Sequence, residues 1–247
     1  MKIELKEVVI NTISMCTQRC WHCRFGVDPP PVKILSQEHV FKIVDDLAAI
    51  NYNRRLSFFC GNEPLLDPRQ EDFFKYATKK LTGATLTLFS NGDLATSNVL
   101  KRLFDSGMQK ITFSLHHLAR EFDIRKLQHE FGAERVLVYD HTKPAFFTSC
   151  HNHGGLIKSK LVSQRKYPES SCALPFKQLV VHPDFAIGQC CVDMSENVKV
   201  KLNTSQSVVD VFYECSELNN LRKMLASNKR DKAPCSECSY NGLDYFG

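Results

Sequence analysis

Val8-Val9-Ile10-Asn11-Thr12-Ile13, followed three residues on by Cys16-Thr17-Gln18-Arg19-Cys20-Trp21-His22-Cys23, decides how the rest of the chain is read. The first stretch is mostly apolar and β-branched, the composition of a buried strand. The second sets three cysteines in eight positions, a density of soft ligands that packing does not require. A strand that delivers such a loop at its C-terminal end suits an α/β protein with its chemistry at one end of a sheet.

Working outward, Pro29, Pro30 and Pro31 keep the next segment out of helix. Ser36 is an N-cap candidate, and Val40, Ile43, Val44, Leu47 and Ile50 recur at helical spacing. Strands are expected at Leu56 to Cys60, Leu86 to Ser90, Ile111 to Leu115 and Val136 to Tyr139, with helices near 70–81, 96–106 and 119–130 between them. A sixth strand is expected before Cys150. About six βα units fit before residue 160, fewer than the eight of a closed barrel, so the fold class is α/β with a partial (β/α)6 barrel over 1–160. The rhythm stops near Tyr167: Leu179 to Val181 and Phe185 to Ile187 flank His182-Pro183-Asp184 as a hairpin, helices follow at 207–213 and 216–227, and 161–247 read as a small second module.

The chain has 247 residues, 43% of them apolar, ample for a packed core. The charged N-terminal segment lacks a signal peptide's apolar stretch, and no run approaches a membrane span, so a cytoplasmic enzyme is expected. Eleven cysteines in a reducing compartment point to metal or redox chemistry, since disulfides are rare there. They group as Cys16, Cys20 and Cys23, then Cys172, Cys190 and Cys191, then Cys235 and Cys238, with Cys60, Cys150 and Cys215 apart. The formal charge of +5 counts every thiol as neutral and falls toward zero when grouped thiols ionise around metal. A nucleic-acid partner is not implied, and the basic stretch from Arg222 to Lys232 is expected to coat an exposed helix end.

Three thiolates on one short loop can hold three irons of a [4Fe–4S] cubane and leave the fourth open, whereas structural zinc wants four ligands, usually as two distant pairs. Cys16-Thr17-Gln18-Arg19-Cys20-Trp21-His22-Cys23 resembles the CxxxCxxC signature of the radical S-adenosylmethionine (radical SAM) superfamily. His22 stands where an aromatic residue is commonest. The resemblance implies that S-adenosyl-L-methionine chelates the open iron and is reductively cleaved to a 5′-deoxyadenosyl radical. Cys60-Gly61-Asn62-Glu63-Pro64 resembles the family's GGEP segment, which implies that Gly61, Asn62 and Glu63 gather the methionyl ammonium. Ser90 and Asn91 resemble the ribose-contacting position, Ser114 and His116 end the next strand, and His22 is expected to shield the cluster or meet the adenine. Ordinary turn chemistry is the alternative for each of these loops.

The segment from Cys172 through Cys190, with the later Cys235-Ser236-Glu237-Cys238, resembles the twitch/SPASM modules of radical SAM enzymes. That implies a second [4Fe–4S] cluster on Cys172, Cys190, Cys235 and Cys238, closed by four thiolates and suited to relaying electrons. Zinc is the alternative there, and Cys191 competes with Cys190. Together with Asn91-Gly92-Asp93-Leu94 and Asn152-His153-Gly154-Gly155, the pattern resembles aminocyclitol dehydrogenases of the 2-deoxy-scyllo-inosamine type. The implied reaction is dehydrogenation of a hydroxylated small molecule in natural-product biosynthesis, with a flavodoxin- or ferredoxin-type electron donor. His153 is then the candidate base for the hydroxyl proton, with His151 its rival. The competing reading is maturation of a short, ribosomally made peptide, in which Cys60, Cys150 or Cys191 returns a hydrogen atom. A non-catalytic iron–sulfur sensor is the third.

Overall fold

Alternating side chains on short strands produce the architecture of the computed structural model, which describes residues 1–194 and 199–243. One sheet of eight strands runs in the order β5-β4-β3-β2-β1-β6-β7-β8. β1 (Glu7–Ile10), β2 (Arg55–Phe58), β3 (Thr85–Ser90), β4 (Lys110–Leu115), β5 (Val136–Asp140) and β6 (Gln178–Val181) form its parallel part. β7 (Ala186–Gly188) and β8 (Lys199–Lys201) extend it antiparallel beyond β6. β5 and β8 are its edges. The outward residues Val8, Ile10, Leu56, Phe58, Leu86, Leu88, Ile111 and Phe113 form one core with residues of the helices laid over them.

Between the strands lie α1 (Arg24–Val27), α2 (Gln37–Ala49), α3 (Gln70–Lys80), α4 (Ser97–Asp105), α5 (Glu121–Phe131) and α6 (Pro144–Ser149). Ser36 caps α2 by accepting from the His39 amide at 3.2 Å, and Val40, Ile43, Val44 and Leu47 are fully buried. Ile50 departs from the expected pattern: it sits just past the helix and is exposed. Thr96 caps α4 in the same manner as Ser36.

The expected strand before Cys150 is instead α6, opened by Pro144 in its first turn, where a missing N–H costs nothing. The place beside β1 is filled by β6, the first strand of the hairpin, in register Glu7↔Gln178 to Ile10↔Val181. The hairpin is therefore hydrogen-bonded into the sheet that carries the cysteine loop. α7 (Leu174–Lys177) leads into it, and α8 (Val208–Glu214) and α9 (Ser216–Ala226) follow.

The concave face is polar at the strands' N-terminal ends. The buried Glu7 carboxylate accepts from Arg55 Nε at 2.7 Å, Ser57 Oγ at 3.0 Å and Gln178 Nε2 at 2.7 Å, joining β1, β2 and β6 through side chains. The basic stretch divides: Lys223, Lys229 and Lys232 are exposed, as a solvated coat would be, and its two arginines are not. Arg222 and Arg230 are buried, with their guanidinium groups donating to backbone carbonyls. No helix among the described residues is long and apolar enough to cross a membrane.

Candidate active site

At the C-terminal ends of β1 to β5 the loops enclose a cavity of about 350 Å³. Cys16, Cys20 and Cys23 border it, opposite Gly61, Asn62, Ser90, Asn91, Ser114 and His116. Strand periodicity accounts for the convergence: every loop here leaves a parallel strand at the same end of the sheet, and alternate residues turn inward.

The cysteine loop is tied to the β3 loop. Asn91 Nδ2 donates to Thr17 Oγ1 at 2.9 Å and to Cys16 Sγ at 3.6 Å. The Gln18 amide donates to the same sulfur at 3.4 Å. Asp93 accepts from Thr17 Oγ1 at 2.7 Å and Gln18 Nε2 at 2.8 Å. Burial raises all three thiols, and the Cys20 thiol, crowded further by Cys23 and Cys16, is pushed up to about 12. Three thiols so placed ionise together only against a compensating cation.

Glu63 lies elsewhere than the resemblance implies. It does not border the cavity but is fully buried behind it, where Oε1 accepts from the Leu65 amide at 3.0 Å and Ser90 Oγ at 2.8 Å and Oε2 from the Asn91 amide at 2.7 Å. Burial outweighs these donors and carries its carboxyl up to about 7. Glu63 therefore locks the β2 loop to the β3 loop. Polar atoms that await a ligand belong to Asn62, whose Oδ1 and Nδ2 are buried without a partner on the cavity wall. Gly61 has φ of +62°, and a Cβ there would meet open space, so its backbone is bare to the cavity.

Imidazoles form the far wall. His22 packs within 5.1 Å of His116 between ring centres, and His116 Nδ1 stands 3.2 Å from His141 Nδ1. Burial pushes His116 down to about 3 and His141 down to about 4, so both rings are neutral. Cys150, His151 and His153 complete this side; Cys191 does not border the cavity, and its carbonyl instead faces the Cys60 thiol. His153 is buried, adopts φ of +48°, and has an Nδ1 without a partner. Phe59, Phe89, His141, Phe146 and Met194 also line the cavity. Inward alternation from β2 and β3 would have found the first two, and the strand-end rule that selected His116 applies equally to His141.

The four later cysteines converge as well. Cys172, Cys190, Cys235 and Cys238 border a second cavity with Gly154, Asp193 and Arg230. Burial raises each thiol; Cys190 is held well above its ordinary value and Cys235 is pushed up to about 12. Zinc at about 2.3 Å from each sulfur would draw thiolates to about 3.8 Å apart. Among the described residues no three of these sulfurs, and not the trio Cys16, Cys20 and Cys23, lie within 4.8 Å of one another. Cys20, His22 and His116 do converge within 4.8 Å, and a ligand bound at Cys20 would meet imidazole at once.

The loop 150–155 faces both cavities. Cys150, His151 and His153 border the first and Gly154 the second. Asn152 holds it there: Nδ2 donates to the Glu237 carbonyl at 2.8 Å, and Oδ1 accepts from the Ser239 amide at 2.9 Å.

A model of the radical SAM superfamily matches residues 10–137. The chain is 25% identical over 237 residues to the S-adenosyl-L-methionine-dependent 2-deoxy-scyllo-inosamine dehydrogenase of Niallia circulans, covering 94% of this chain and 91% of that relative. Its fold superposes on the crystal structure of BtrN in complex with AdoMet and 2-DOIA with a TM-score of 0.83 at 22% identity, covering 97% and 95% of the two chains. On SuiB of Streptococcus suis bound to its precursor peptide SuiA the TM-score is 0.61 at 14% identity, covering 99% and 72%. With the family model spanning more than half of the sequence and its three cysteines gathered on one cavity wall, the chain belongs to the radical SAM superfamily.

Proposed function

We propose that this radical SAM enzyme is a cytoplasmic dehydrogenase that oxidises a carbon bearing a hydroxyl group in an aminocyclitol-like or sugar-like molecule, and carries a second, C-terminal [4Fe–4S] cluster in a twitch-type module. The observation that carries the reading is the loop 150–155, which presents imidazoles to the first cavity and its backbone to the four-cysteine cavity. The whole-length likeness to a dehydrogenase supports it.

Cys16, Cys20 and Cys23 would hold the first cluster, and Gly61 and Asn62 offer the bare backbone and unpartnered amide for the methionyl end of S-adenosylmethionine. When bound, the pair supplies a 5′-deoxyadenosyl radical that takes a hydrogen atom from carbon. Phe59, Phe89, Phe146 and Met194 exclude water around that point. His153 is held neutral by burial, and its unpartnered Nδ1 is the atom to receive the hydroxyl proton. Cys172, Cys190, Cys235 and Cys238 would hold the second cluster, which would supply an acceptor for the remaining electron. A ferredoxin- or flavodoxin-type protein is the expected donor to the first.

Iron and acid-labile sulfide per chain test this after anaerobic reconstitution. About eight irons in wild type and about four in the Cys16→Ala/Cys20→Ala/Cys23→Ala variant are expected. About four in wild type and almost none in the variant sinks the relay. In that case a redox-neutral peptide epimerase is favoured by Cys60 and Cys150, both on the cavity wall; burial pushes the Cys150 thiol up to about 11 and keeps its hydrogen in place.

A further inference from the structure

Among the described residues Arg230 is a buried charge without a carboxylate partner. It is 2% exposed, and its guanidinium donates only to carbonyls: Ser170 at 3.3 Å, Tyr240 at 2.6 Å and Ser171 at 2.7 Å. Among the described residues no carboxylate lies within ion-pair distance of it, although Asp193 borders the same cavity. The chain closes over it at Gly242, whose φ is +82° and where a Cβ would stand 2.4 Å from Arg230 Nη2 and 2.3 Å from the Ser171 carbonyl. A buried guanidinium satisfied by neutral carbonyls gains stability from an opposing charge placed beside it. Cys172, Cys190, Cys235 and Cys238 border the same cavity, together with Gln189, Asp193 and Tyr240.

We infer that Arg230 is the built-in counter-ion of a sulfur-ligated cluster on these four cysteines and sets its reduction potential. The inference rests on the second cluster proposed above. Four thiolates around a [4Fe–4S]²⁺ core leave about −2, and reduction adds one more negative charge. A neighbouring cation therefore favours the reduced form, making the site a better electron acceptor.

The test uses the full chain in the Cys16→Ala/Cys20→Ala/Cys23→Ala background, so that only the C-terminal cluster titrates. Arg230→Lys and Arg230→Gln are reconstituted beside that parent, iron is counted, and the reduced fraction is followed by EPR against solution potential. At the parent's midpoint potential, Arg230→Gln is expected to show at least a tenfold lower ratio of reduced to oxidised cluster, 59 mV for a one-electron couple, with Arg230→Lys within threefold of the parent. Loss of iron from Arg230→Gln but not from Arg230→Lys also supports a counter-ion role. Equal behaviour of the two variants, shifted or not, overturns it as a matter of hydrogen bonding or of no consequence. A parent that binds no iron instead overturns the second cluster itself.

Discussion

Replacing Glu63 with Gln sets two influences on one carboxylate against each other. Three donors converge on it, which favours ionisation, while full burial opposes it. If burial wins, as its position near 7 implies against an ordinary 4.5, the folded chain binds a proton between those values that the unfolded chain has released. A group raised in the folded state stabilises below the unfolded value and loses that stability as pH climbs through the folded one. The interval corresponds to about 3 kcal/mol at most, taking 1.36 kcal/mol per pH unit. Glu63→Gln has no such slope. Its amide meets either the Leu65 or the Asn91 N–H donor to donor, a roughly constant loss of about 1–3 kcal/mol. Urea unfolding of the cluster-free chain, followed by circular dichroism at pH 5 and pH 8, should thus show the variant less stable at the lower pH and gaining on wild type by up to about 3 kcal/mol at the higher. A gap that instead widens as pH rises would mean that the three donors dominate and that Glu63 is an ordinary anion.

Two further substitutions probe the same frame. Asn91→Ala removes a donor to Cys16 Sγ and the tie to Thr17, so the first cluster's midpoint potential should fall by on the order of 40 mV, the equivalent of one net hydrogen bond; an unchanged potential with slower S-adenosylmethionine cleavage would assign Asn91 to the ribose instead. Glu7→Ala strips the acceptor from Arg55, Ser57 and Gln178 on the concave face and should cost about 3 kcal/mol in urea unfolding, while Glu7→Gln should recover part of that loss.

The five βα units and their order were legible because each is a local periodicity: period two in the strands, 3.6 in α2 to α5. The cysteine loop was legible because three soft ligands on one loop have few other uses. The sixth parallel strand was misplaced because it is a matter of pairing. Nothing local in Gln178-Leu179-Val180-Val181 says that it runs beside Glu7–Ile10 rather than apart, and the Pro144 segment offered a competing span. The partners of Glu63 were hidden for a related reason: a motif gives the residue's loop, while the direction of its carboxylate depends on the neighbouring strand end, where Ser90 and Asn91 supply donors. The apparent surface charge of Arg222 and Arg230 failed because carbonyl acceptors from distant segments are invisible along the chain.

The parallel pairing of β1 with β6 has a mechanical consequence. The loop holding Cys16, Cys20 and Cys23 grows out of one strand, and Cys172 and Cys190 flank the hairpin that begins with its neighbour, four residues in register. Their spacing is set by a ladder of backbone hydrogen bonds in place of a hinge, and no swivelling of one half against the other can alter it without tearing the sheet. Heat or denaturant should accordingly release both groups of thiols in a single cooperative transition, at one midpoint whichever group is labelled.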